Sequence, residues 1–349
     1  MQRSDVIMNI AIFAPFQTAS FRDVAEKCAR ALLRKHNVAL HDFNDIFIPL
    51  GKWRAIIYFN TLFLPSLIHL PRYFDLAEKV IFSCDGEGAP LRLTQYFRNW
   101  LDKTIITTPT RFCQYEYERV FLKVQEIIPR AIDVSEFIVS DVDVEAYRRQ
   151  FKDKKILFFC GALHKGMAHQ RKGIEELLEA FKIVKERERN VVLIHYTNHY
   201  PEEVGIKTPN EIKDAFIVEK MFGRLSKKDL AIRYRACDVY VHPSHSEGFG
   251  LPLIEAMVCY KPPVYIRWGA MAEVVQGYGY GVIPTHVETF NFMNLIEQKF
   301  AMYEPKELAE VIIYALNDVK NEDLKISAHN FAVENYNYLK VYERFEVLL

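Results

Sequence analysis

Short apolar runs recur along this chain, and most are followed by a segment whose apolar residues repeat at helical spacing. Val6–Ala14 (VIMNIAIFA) is the first, then Val38–Leu40, Ala55–Phe59, Lys79–Ser83, Lys103–Thr107 and Val124–Ile128. A nearly continuous apolar run is what a strand buried on both faces requires. Between the first two runs, Asp23–Lys35 carries Val24, Cys28, Ala31 and Leu32 on one helical stripe. From Lys155 the scheme repeats, with runs at Lys155–Cys160, Val191–Tyr196, Ile217–Met221, Asp238–His242 and Val264–Ile266. Helices are expected over Gly173–Glu186, Lys227–Arg235, Pro252–Val258, Pro305–Leu316 and Leu324–Asn335. Alternating strand and helix signals build parallel βαβ units. The expected fold is therefore α/β, with two doubly wound, Rossmann-like domains facing each other across a cleft.

The charged stretch Asp141–Lys155 carries no strand signal and is read as the domain boundary. This divides the chain into residues 1–145 and 146–335, with a helix at about 336–349 packing back on the first domain. Lys plus Arg and Asp plus Glu are both 45. A broad nucleic-acid surface, which needs surplus cations, is thus excluded. Six cysteines show no C-x-x-C spacing and no Cys/His cluster. They read as buried thiols of a reducing, cytoplasmic protein, and no metal site is expected. Asp141-Val142-Asp143 spells D-x-D, a metal and nucleotide-sugar motif of a different fold. With no strand immediately before it, it reads as a solvated linker.

In open parallel sheets, ligands bind beyond the carboxyl ends of the strands. The most informative such place is Val241–Met257, VHPSHSEGFGLPLIEAM. A strand ends at His242, a turn carries Glu247, Gly248, Phe249 and Gly250, and a helix follows. Glycines before a helix N-terminus let backbone amides approach an anion. Two carboxylates, Glu247 and Glu255, flank that anion site and can accept hydrogen bonds only from groups that donate, such as sugar hydroxyls. A sugar nucleotide combines both chemistries.

Glu247 and Glu255 with seven residues between them, around EGFGLPLIEAM, resemble the signature of the retaining GT-B glycosyltransferases. That group includes glycogen synthase, sucrose synthase and many bacterial and archaeal mannosyl- and glucosyltransferases. The resemblance implies transfer of a hexose from a nucleoside-diphosphate sugar to a glycan, lipid or other hydroxyl acceptor, with retention and without a metal or other cofactor. Glu247 would bind donor-sugar hydroxyls and Glu255 the ribose, while amides around Phe249, Gly250 and Leu251 line the phosphate pocket. Phe158–Phe181 resembles the first strand, loop and helix of the family's second domain, including Gly161. Lys172 matches the lysine that grips the diphosphate. The arginine usual after the strand's glycine is Ala162 here, and Arg171, Lys165 and His164 are the candidates to replace it. Gly223 and Arg224 fall where the family meets the base and phosphates.

In the first half, Ile105–Phe137 is collinear with the family, but Arg130 and Ala131 replace a polar-glycine pair. Asp85, in the Ser83–Gly88 turn, is the acceptor-side candidate, followed by Glu87. Thr18 and Ser20 are read as capping the first helix. Trp53–Phe74 could dock on the inner face of a membrane, although a buried strand and loop explain it more simply. Two rivals remain open: a non-hydrolysing sugar-nucleotide epimerase on the same fold, and a non-catalytic sugar-nucleotide or glycan-binding module. A Rossmann oxidoreductase is disfavoured, since no G-x-G-x-x-G follows the first strand.

Overall fold

The computed structural model describes residues 6–44, 52–61, 64–165, 171–292 and 295–349. Two compact units result: 1–133 with 289–299 and 335–349, and 134–288 with 300–334. In the first, β1 (Asn9–Ala14), β2 (Asn37–Asp42), β3 (Trp53–Thr61) and β4 (Ala77–Asp85) precede a two-residue β5 (Gly88–Ala89). β6 (Ile105–Thr108) and β7 (Val124–Ile127) complete a parallel sheet of order β2-β1-β3-β4-β6-β7. β1 begins at Asn9, and Val6 and Ile7 stay exposed.

Ala55–Phe59 in β3 are fully buried, and Leu70 and Tyr73 join the same core as Ile56 and Tyr58. Much of the described part of Trp53–Phe74 therefore spends its apolar side chains inside the protein, although Ile68 is exposed; residues 62 and 63 lie outside the described residues. Among the described residues no helix is long and apolar enough to cross a membrane. Thr18 is the N-cap of the helix Ala19–Leu32, yet its side chain makes no capping hydrogen bond, and Ser20 lies inside that helix. The six cysteines are buried and reduced.

The second unit carries β8 (Lys155–Cys160), β9 (Val191–Tyr196), β10 (Phe216–Glu219), β11 (Val239–His242), β12 (Val264–Ile266) and β13 (Tyr280–Val282). All run parallel, in the order β10-β9-β8-β11-β12-β13. This order reverses direction between β8 and β11, which makes the crevice beyond their carboxyl ends the place for a ligand. The helix Ile174–Arg187 buries Ile174, Leu177, Leu178, Phe181 and Val184, each worth about 1.5–3 kcal/mol of removed apolar surface. Glu175 and Glu176 lie in its first turn and Lys185 and Arg187 in its last, matching the helix dipole at both ends.

The division between units falls after Asp133, not in the charged stretch 141–155. That stretch opens with a helix, Asp141–Arg148, capped by Ser140 Oγ accepting from the Asp143 amide. Its charges pair with the helix Lys227–Ala236 and the residues after it: Asp141 with Arg235 at 2.9 Å, Asp143 with Lys228 at 3.1 Å and Arg148 with Asp238 at 3.0 Å. The D-x-D aspartates are thus helix-start residues with cationic partners, and not a linker. Strands β14 (His286–Phe292) and β15 (Ile296–Met302), absent from the sequence reading, follow β13. Within the first unit, Glu297 and Gln298 of β15 pair antiparallel with Ala89 and Gly88. Gly88 has no room for a side chain there, since a Cβ would lie 1.7 Å from the Glu297 carbonyl.

Candidate active site

Two loops meet at the reversal point of the second sheet. One follows β8 and is described over 161–165 and 171–173; the other, Pro243–Gly250, follows β11 and is buried throughout. Gly161 is buried, donates its amide to the Tyr196 carbonyl at 3.1 Å and accepts from His195 Nε2 at 2.9 Å. Gly173 takes φ +63°, and a Cβ there would lie 2.0 Å from the Pro243 carbonyl oxygen. A glycine at this point lets the two loops touch backbone to backbone. The Arg171 carbonyl accepts from the His245 amide at 2.9 Å and ties them again.

This stitching brings Arg171 and Lys172 onto Glu247. Arg171 Nη1 lies 2.9 Å from one carboxylate oxygen and from the Ser246 carbonyl, and Lys172 Nζ lies 2.5 Å from the other oxygen. His242 Nε2 donates to that second oxygen at 3.2 Å. Burial alone would raise the Glu247 carboxyl, but Lys172, Arg171 and His242 more than offset it and hold it well below the usual carboxylate range. Burial pushes His242 down against the pull of Glu247 and so favours the neutral imidazole. Of the three candidates to replace the arginine absent at Ala162, Arg171 is the one that reaches Glu247, while His164 and Lys165 are exposed and residues 166–170 lie outside the described residues.

Gly248 and Phe249 are buried beside Glu247, and Gly250 takes φ +94° as the residue before the helix Leu251–Val258. The first amides of any helix lack intrahelical partners and carry partial positive charge. Glu255 sits within this helix, buried. Its oxygens take Lys227 Nζ at 3.0 Å and Tyr234 Oη at 2.9 Å. Gly223 has φ +75° and gives its amide to Tyr196 Oη at 2.9 Å; Arg224 next to it is exposed. Both precede the helix that supplies Lys227 and Tyr234. The structure thus groups Glu247, Lys172, Arg171 and the glycine turn, and anchors Glu255 from the neighbouring helix.

Asp85 belongs to the first unit, at the end of β4. It pairs with Arg130, a fully buried arginine that also donates to Ser83 Oγ at 2.7 Å and lies over the Phe59 ring at 5.2 Å. Asp85 and Glu87 line a cavity of about 190 Å³ with Tyr117 and Gln298. Sequence reasoning missed Arg130, His242, Tyr240, Tyr234 and Lys227 as parts of these sites. The only signal was a basic, aromatic or imidazole side chain inside apolar runs or beside them. Among the described residues no cluster of three or more His, Cys, Asp or Glu is arranged to hold a metal.

An uncharacterised glycosyltransferase of Methanocaldococcus jannaschii is 27% identical over 205 residues, 56% of this chain and 51% of that protein. The O-antigen chain mannosyltransferase B of Escherichia coli is 29% identical over 133 residues, 37% of this chain and 34% of that protein. The chain therefore spans about half the length, or less, of these curated relatives. Anabaena HepE, solved with UDP and glucose, superposes with a TM-score of 0.73 at 15% identity, over 98% of this chain and 99% of that one. It shares the two-domain α/β fold with parallel sheets. The family model of the glycosyl transferases group 1 matches residues 144–329, more than half of the chain, and the chain belongs to that family.

Proposed function

We propose that the chain is a retaining glycosyltransferase that moves a hexose from a nucleoside-diphosphate sugar to a hydroxyl acceptor without a metal. The observation that carries this reading is the buried Glu247 carboxylate, shared by Arg171, Lys172 and His242 at the head of a glycine turn and helix. An entering diphosphate would take over the two cations and meet the amides of Gly250 and Leu251. Glu247 would then be left to accept hydrogen bonds from the sugar hydroxyls. Glu255 would take the ribose hydroxyls, and Gly223 with Arg224 would flank the base. HepE, the fold neighbour bound to UDP and glucose, supports a nucleotide sugar as donor.

In the reaction, the acceptor oxygen bonds to the anomeric carbon as the bond to the diphosphate oxygen breaks. The leaving phosphate takes the acceptor proton on the same face. Lys172, Arg171 and the helix start stabilise the charge developing on that phosphate. Asp85 would serve the acceptor side, the acceptor being a glycan, a lipid or another hydroxyl compound, and the reaction would run in the cytoplasm or at the inner face of a membrane.

The test has two steps. Thermal shift with UDP, GDP, ADP and their glucose and mannose conjugates identifies the donor by mass action. Turnover of that donor, with the product anomer read by NMR, then compares wild type with Glu247→Ala. Loss of one preorganised electrostatic group costs about 10²–10³ in rate. Equal turnover in the two proteins, or an inverted anomer, refutes the reading. Interconversion of donor without an acceptor would favour the epimerase.

A further inference from the structure

Behind the two glutamates lies a line of buried polar side chains that the reaction above does not use. Tyr240 and His242 alternate on β11 and so project from one face of the sheet. Both are fully buried, as is Tyr234 on the helix Lys227–Ala236. A strand core is cheaper to build from valine or leucine, because each buried hydroxyl or imidazole must find a partner. Here the partners form a sequence. Tyr240 Oη lies 3.0 Å from His242 Nδ1, and His242 Nε2 lies 3.2 Å from Glu247. The Tyr234 ring stands edge-on to Tyr240 with centroids 5.2 Å apart, and its hydroxyl donates to Glu255 at 2.9 Å.

Donor and acceptor chemistry fixes each proton along this line. An ionised carboxylate only accepts, so His242 must donate from Nε2. A neutral imidazole has one N–H, so Nδ1 accepts and Tyr240 donates to it. Neither tyrosine nor the histidine brings a charge, and neither tyrosine hydroxyl bonds to the loop Pro243–Gly250.

Resting on the reading that Glu247 and Glu255 hold the donor, we propose that Tyr240, His242 and Tyr234 are positioning residues. Tyr240 locks the His242 tautomer that aims Glu247 at the sugar, and Tyr234 aims Glu255 at the ribose. The two binding carboxylates are thereby set in a fixed mutual register from inside the core.

Two measurements on the full chain test this. The first is ¹⁵N NMR of the histidine side chains without nucleotide. The His242 resonances, assigned by their loss in His242→Gln, are expected to report the Nε2–H tautomer at neutral pH. In Tyr240→Phe they should shift toward a mixture with the Nδ1–H form. A wild-type His242 protonated on Nδ1, or on both nitrogens, overturns the proposal. The second is kinetics with the nucleotide sugar selected by thermal shift. Tyr240→Phe should lower kcat by up to about tenfold, the upper scale of one lost hydrogen bond between neutral groups, with nucleotide affinity moving less than threefold. Tyr234→Phe should weaken nucleotide affinity about tenfold. His242→Gln, which can still donate to Glu247, should retain more activity than His242→Leu. Equal kcat in Tyr240→Phe, His242→Leu and wild type would refute the positioning role. If no nucleotide sugar stabilises the wild-type protein, the donor reading fails, whereas the tautomer measurement still decides the buried line.

Discussion

Replacing Glu247 by Gln keeps the shape of the side chain and removes its charge. Arg171 and Lys172 would then face each other's charge with only 17% and 13% of their side chains exposed. Breaking a buried ion pair by removing one partner costs about 3–5 kcal/mol, and the residual exposure of both cations argues for the lower end. A loss of about 3 kcal/mol in a unit of this size lowers Tm by about 6–12 °C. The pH dependence follows from the direction of the shift. Glu247 is held well below its ordinary value of 4.5 in the folded protein. Its contribution is therefore complete above pH 4.5 and drains away as pH falls toward the folded pKa. Each pH unit below 4.5 removes about 1.4 kcal/mol, so at pH 3.5 about half of the gap between wild type and Glu247→Gln is gone. Calorimetry of both proteins from pH 7 to 3.5 measures this. Inorganic pyrophosphate should raise Tm more in the variant, because the two cations no longer have a competing carboxylate. A variant melting within 2 °C of wild type at pH 7, or a gap that does not narrow in acid, would show that solvent already screens the cluster and would refute the reasoning.

Other expectations are quicker to check. Gly173→Ala places a methyl against the Pro243 carbonyl in a left-handed backbone and should cost well over 2 kcal/mol by chemical denaturation, whereas Gly205→Ala, at φ +87° with nothing within 4 Å, should cost about 1 kcal/mol. Arg130→Met should destabilise the first unit by about 3–5 kcal/mol, and Arg130→Lys should not restore it, because an ammonium lacks the planar fork of two separated nitrogens with which Arg130 reaches Ser83 Oγ from one side and the Ser83 carbonyl and Asp85 from the other. The double variant Asp141→Asn/Asp143→Asn should turn over like wild type, and chelation by EDTA should leave its rate unchanged. A metal-dependent rate would end the metal-free reading.

What could be read in advance followed from burial. β8, β9 and β12 were legible to the residue because a central parallel strand must be apolar on both faces, and runs such as KILFFC have no other use. Tyr280–Val282 was not legible, since Gly281 interrupts the run and two of its three residues are only half-buried. β14 and β15 escaped for a related reason: the pairing of Glu297 with Ala89 joins residues far apart in sequence, and no local pattern announces it. The charged stretch misled because charge density was equated with solvent. Asp141, Asp143 and Arg148 are charged to meet Arg235, Lys228 and Asp238, partners roughly 90 residues away.

The same logic separates the parts of the candidate site. The glycines and glutamates of residues 247–255 stood out because turn geometry and helix starts restrict residue type locally. Lys172 and Arg171 were legible as cations, but that they close on Glu247 depends on Gly173 meeting Pro243, a contact between two loops. Tyr240, His242 and Tyr234 occupy positions that periodicity assigns to the core, and they are in the core. Their polar atoms gain meaning only from Glu247 and Glu255, which the fold brings to them. A polar side chain at a core position, in a strand that ends at a carboxylate-bearing turn, is therefore the sequence trace of a supporting layer. It can be sought wherever a buried strand carries tyrosine or histidine where valine would fold as well.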